Sequence, residues 1–139
     1  MTKAVIGHIE KIELPELGFS CFAKTDTGAC TSALHADDIR VEGTEDKPVA
    51  VFSVKFKSDT QTLNKSCQAP LVGQREIKSS NGQTSKRYVI STTAIIAGEC
   101  YDIELTLSHR GNMTYPMLLG RKAISGRFLV DVSISEVDI

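Results

Sequence analysis

The residues best placed to do chemistry stand in the run Thr25-Asp26-Thr27-Gly28-Ala29. A strand-like stretch delivers a carboxylic acid to a turn, Gly28 permits a sharp bend, and the small residues that follow let another backbone or a ligand come close. A carboxyl presented this way could do general acid-base work. Read alone, the run also fits an Asx-type turn with a solvated aspartate, because Asp, Thr and Gly are ordinary turn formers. A second run, Tyr115-Pro116-Met117-Leu118-Leu119-Gly120-Arg121, carries an apolar pair into Gly-Arg. By itself it reads as a buried central strand ending in a glycine turn with a surface arginine.

The remaining reactive side chains are less organised. None of the four cysteines, Cys21, Cys30, Cys67 and Cys100, forms a CxxC pair, which leaves small buried thiols in a reducing compartment as the simplest reading. Cys30 follows Asp26 closely and fits the rim of a pocket, but no histidine is near it in sequence to activate it as a nucleophile. His8, His35 and His109 are scattered, with no HExxH pair. His35 and Cys30 with some distant third ligand come nearest to a metal set, and structural roles suit them as well. No metal and no cofactor is therefore expected.

The elements that must position these residues are nearly all strands. Val5 to Leu14 alternates in part and stops at Pro15, and Phe19 to Ala23 leads into the acid run. Ala33 to Val41 ends at Glu42-Gly43, and Val49 to Lys57 shows a clear period of two. Two runs, about Cys67 to Ile77 and Arg87 to Ala97, flank Ser79-Ser80-Asn81-Gly82, and Asn-Gly is a strong hairpin signal. Tyr101 to Leu107 places Ile103, Leu105 and Leu107 on one face, and His109-Arg110-Gly111-Asn112 reads as a turn. Only about Arg121 to Ser125 reads as a helix, before a last strand from Phe128 to Val132. Turn signals every ten residues or so predict an all-β barrel or sandwich in a single domain, 1–139. The 139 residues are 41% apolar and 24% charged, with a net charge of -1, as in an ordinary soluble domain. Acids and bases are interspersed, which argues against nucleic acid as a partner. No apolar run is long enough to span a bilayer and no signal-peptide pattern is seen, so a cytoplasmic location is expected.

In their order and spacing, the two runs resemble those of the retropepsin family of aspartic peptidases. The likeness is closer to a bacterial subgroup once labelled ATP-dependent zinc proteases, which carries runs similar to residues 26–36 and 116–121 and is associated with RimK-like ATP-grasp ligases that add glutamate to proteins. The resemblance covers nearly the whole chain. It implies a closed or partly open acid-protease β-barrel with one short C-terminal helix. It also implies a homodimer in which Asp26 of each copy meets at the two-fold axis, because one chain holds one Asp-Thr-Gly and an aspartic peptidase needs two carboxyls sharing a proton. Thr27 would lock the paired loops together and Gly28 would leave room for substrate. Ala29 and the hairpin Ser79, Ser80, Asn81 and Gly82 would lie along the substrate, while Leu118, Leu119, Gly120 and Arg121 would support the loop from behind. The implied substrate is a peptide or protein, in the subgroup's setting a glutamate-rich one, and an ATP-grasp ligase is the implied partner. A non-catalytic peptide-binding or ligase-binding module of the same fold and a zinc-dependent peptidase are the alternatives. In two respects the chain departs from the family: the hairpin 78–87 is polar and basic, without an apolar, glycine-rich tip, and many retropepsins have an acid where Cys30 stands, pairing with the Gly-Arg arginine. Arg121 then needs another partner, and Asp131, Asp37 and Asp38 are the candidates.

Overall fold

A computed structural model describes residues 3–57, 62–78, 82–109 and 115–135 of the chain. It contains ten strands and one short helix: β1 (Ala4–Leu14), β2 (Phe19–Thr25), β3 (Ser32–His35), β4 (Asp37–Gly43), β5 (Pro48–Lys57), β6 (Thr62–Lys78), β7 (Thr84–Ile96), β8 (Glu99–Ser108), β9 (Met117–Leu119), α1 (Arg121–Ile124) and β10 (Phe128–Ser135). Six of the strands close on themselves. β1 pairs with β2, β2 with β9, β9 with β3, β3 with β8 and β8 with β7, and β7 returns to β1 through Ile12 and Glu13. The all-β barrel with one short C-terminal helix expected from the sequence is the fold observed. β10 runs parallel to the first half of β1 on the outside, and β6, β5 and β4 extend the sheet beyond β7.

Apolar alternation explains why the barrel closes. Ile6, Ile12 and Leu14 of β1, Ile90 and Ile96 of β7, Leu105 and Leu107 of β8, and Met117 and Leu119 of β9 turn inward and are almost wholly buried. Each contributes about 1.5–3 kcal/mol by leaving water. Ala50, Phe52 and Val54 of β5 form the buried face of the extension.

The stretch from Ala33 to Val41 is two strands rather than one. Ala36 breaks it, Asp38 takes a positive φ of 53° and the register with β5 slips between Asp37 and Arg40. Asp tolerates this left-handed conformation better than most residues. The corner frees β3 to pair with β8 and β9 while β4 joins β5. β6 starts earlier than the sequence suggested, at Thr62, since residues 62–70 complete the ladder with β5. The hairpin between β6 and β7 is present, with Gly82 at φ 85°. Ser79, Ser80 and Asn81, and Arg110 to Asn112 of the second predicted turn, lie outside the described residues.

Candidate active site

Asp26 follows β2 directly. β2 and β9 are parallel neighbours, with Thr25 opposite Leu119, so both chains leave the barrel at one end and side by side. Their continuations are tied together by backbone. The Asp26 N–H donates to the Leu119 carbonyl (2.9 Å), the Arg121 N–H to the Ala29 carbonyl (2.8 Å) and the Lys122 N–H to the Cys30 carbonyl (3.0 Å). Inside the turn, the Ala29 N–H donates to the Asp26 carbonyl (3.2 Å). The Gly28 N–H donates to Asp26 Oδ1 (3.0 Å). One oxygen of the carboxylate is thus held by its own loop. The side chain is half-buried, and Thr27 and Gly28 beside it are exposed.

Gly120 is the tightest point of the support. A Cβ there would lie 2.6 Å from the carbonyl carbon and oxygen of Thr31, so only glycine lets β9 and α1 run this close behind the loop. Its buried N–H donates to Ser32 Oγ (2.9 Å). Leu119 is fully buried and Leu118 half-buried. Arg121 Nη1 donates to the Thr27 carbonyl (3.0 Å), which answers the question raised by Cys30: the arginine braces the loop through its backbone. Two of the three suggested acids are engaged elsewhere, Asp131 with Ser133 and Asp37 with His35 and His109. Asp131 also titrates below the usual carboxylate range because the Ser133 hydroxyl and N–H both donate to it.

The structure therefore brings together Asp26, Thr27, Gly28, Ala29, Leu118, Leu119, Gly120 and Arg121. Thr27, Cys30, Arg121, Lys122, Ile124 and Ser125 line an open depression next to the acid. Gly82 is exposed on the β6–β7 hairpin. Ser32 was missed by the sequence reading, for nothing in a lone serine signals that it will cap a glycine 88 residues away. His35 and His109, scattered in sequence, meet at Asp37. Cys30 is exposed beside the loop and stands apart from that cluster. Of the four thiols expected to be buried, Cys21 and Cys67 are, whereas Cys30 and Cys100 are exposed; burial pushes the Cys21 thiol up to about 12, and a neutral thiol of that kind is no nucleophile.

The chain is similar to known proteins along nearly its whole length. A family model described as RimB-like, retropepsin-like aspartic endopeptidase RimB, matches residues 5–139. A probable alpha-L-glutamate ligase of Shewanella pealeana is 40% identical over 134 residues, which are 96% of this chain and 29% of that protein. One from Desulfotalea psychrophila is 37% identical over 136 residues, 96% of this chain and again 29% of the relative. The chain thus spans 29% of the length of these curated relatives. Lpg0085 of Legionella pneumophila, a crystal structure of a protein of unknown function, superposes with a TM-score of 0.79 at 28% identity, covering 96% of this chain and 97% of that one.

Proposed function

From the premise that this chain belongs to the RimB-like family of retropepsin-like aspartic endopeptidases, we propose that it is a homodimeric aspartic peptidase whose catalytic acid is Asp26. The observation that carries the reading is the braced acid loop: a half-exposed carboxylate, one oxygen tied to the Gly28 N–H, backed by the Leu119-Gly120-Arg121 turn. Rigid support of this kind is what a positioned general acid-base group requires. One chain offers one such loop, so the second carboxyl comes from a second copy across a two-fold axis, with the exposed Thr27 and Gly28 at the junction. Two carboxyls meeting at such an axis would hold one proton between them. The ionised one takes a proton from water as it attacks the peptide carbonyl, and the protonated one donates to the carbonyl oxygen. The gem-diol so formed collapses with cleavage of the C–N bond as the carboxyl that took the water proton gives it to the leaving amine, so no covalent enzyme intermediate forms.

The substrate class we propose is a glutamate-rich peptide or glutamylated protein. Relatives in which a similar segment makes up 29% of the chain are named glutamate ligases, and Arg75, Lys78, Lys86 and Arg87 make the β6–β7 hairpin basic. A peptidase segment joined to a ligase would trim what the ligase adds, so the fitting partner is an ATP-grasp ligase acting on the same protein. No helix among the described residues is long and apolar enough to cross a membrane, and we place the activity in the cytoplasm, where the exposed thiols of Cys30 and Cys100 stay reduced.

The test is cleavage of an oligoglutamate-tailed peptide by the wild-type chain and by Asp26→Asn, with dimerisation followed by sedimentation velocity. The expected result is complete loss of turnover with fold and dimer retained. Turnover by Asp26→Asn at the wild-type rate would overturn the assignment, and binding without turnover by both proteins would make the chain a peptide-binding module.

A further inference from the structure

The two histidines that meet at Asp37 do so for topological reasons. β3 and β8 are parallel, with His35 opposite Ser108, so His109, the next residue, emerges at the same end of the barrel as His35. The Ala36 N–H donates to the Ser108 carbonyl (3.0 Å). The left-handed turn at Asp38 then carries the chain into β4 with Asp37 held at the corner. As a result, His35 Nε2 lies 3.6 Å from Asp37 Oδ2, and His109 Nδ1 contacts Asp37 Oδ1. The two imidazole centroids are 5.2 Å apart. One ligand atom from each of the three residues lies within 4.8 Å of the others.

Two imidazoles and a carboxylate are the donor set that zinc takes in sites with three protein ligands. Bonds of about 2.1 Å in a tetrahedral arrangement bring the ligand atoms to roughly 3.5 Å from one another. The observed spacing is within a small side-chain adjustment of that. His35 and Asp37 are fixed, with side chains only 12% and 22% exposed, while His109 is 69% exposed and free to swing onto an ion. Imidazole donors favour a transition metal over magnesium or calcium. Ser108, the ladder partner of His35, has a buried Oγ with no hydrogen-bond partner among the described residues. Directly paired residues of neighbouring strands project on one face of the sheet, so this hydroxyl stands on the His35 side, where a metal-bound water could satisfy it.

We propose that His35, Asp37 and His109 bind one divalent transition metal ion per chain, zinc being the best fit, with one coordination position left to water. The site is separate from the acid loop. Ser32, which supports Gly120, and His35 are the two ends of β3, and three residues of strand put them about 10 Å apart. The metal is therefore a clip that fastens the β3–β4 corner to the end of β8, and it is independent of whether Asp26 cleaves peptides.

The test uses the full chain stripped with a chelator and titrated with Co²⁺ alone and Zn²⁺ alone, read by visible absorption and calorimetry. The expected result is one equivalent per chain, with Co²⁺ d–d bands and no near-ultraviolet thiolate charge-transfer band. Asp37→Asn and His109→Ala should each weaken binding by at least about 10-fold, in line with the losses that even indirect metal partners cause. Asp26→Asn and Cys30→Ser should bind as the wild type does. Because His109 is largely exposed, its removal leaves the fold intact, which circular dichroism checks. Absence of saturable binding would mean that Asp37 only hydrogen-bonds the two rings, and would overturn the proposal. So would unchanged affinity in His109→Ala, or a thiolate band that disappears in Cys30→Ser.

Discussion

The acid loop and the β6–β7 arm are both built of backbone hydrogen bonds, yet they are held very differently. In the loop, each of residues 26–30 gives or accepts a hydrogen bond, most of them with β9, Arg121 or Lys122, and fully buried Leu119 lies directly behind. The arm has a regular ladder from Gly73 opposite Val89 to Lys78 opposite Thr84. Beyond Ala69 on β6 and before Val89 on β7, however, no described side chain is buried. A side-chain tie to the barrel among the described residues is the half-exposed pair of Arg75 with Glu104. A ladder without apolar burial opens at low free-energy cost, whereas a loop clamped to the core opens only with the core.

The comparison can be broken most severely at Gly120. Gly120→Ala puts a methyl against the Thr31 carbonyl, and because the obstacle is backbone the loss should reach the upper end of overpacking costs, about 3 kcal/mol. Urea denaturation measures it, and cleavage should fall with it as the loop shifts. Next comes Ser32→Ala, which leaves the buried Gly120 N–H without its acceptor and should cost about 1–2 kcal/mol. A stability equal to wild type in that variant would show that the loop does not depend on this contact. Arg75→Ala on the arm should cost under about 1 kcal/mol, since the ion pair is screened by solvent. Native-state hydrogen exchange sharpens the contrast without mutation. Amides of residues 74–78 and 84–88 should exchange at lower opening free energy than those of Asp26 and Gly120.

A last effect is one of pH. Burial raises the Cys21 thiol from 9.0 to about 12 in the folded chain. The unfolded chain ionises first, so the stability that the neutral thiol contributes is complete below pH 9 and is lost as pH climbs from 9 toward 12. Melting curves over that window should fall less steeply for Cys21→Ala than for wild type. At neutral pH a thiol reagent should label Cys30 and Cys100 and spare Cys21 and Cys67.

Much of this molecule is legible without coordinates. Alternating apolar residues mark β1, β5, β7 and β8, because a strand with one buried face leaves a period of two in the sequence. Pro15, Gly82 and Gly98 mark the turns, because backbone conformation there restricts residue type. The Asp26-Thr27-Gly28 run and the Leu118-Leu119-Gly120-Arg121 run, taken as a pair, point to an acid loop and its support. Three-dimensional pairing decided the rest. That Arg121 would brace the Thr27 carbonyl, that Ser32 would cap Gly120, and that His35, Asp37 and His109 would converge all follow from which strands lie side by side. β2 beside β9 and β3 beside β8 are parallel contacts between segments more than 70 residues apart. Local sequence fixes how a strand presents its faces, but which distant strand it meets is set by closing the barrel over one shared core.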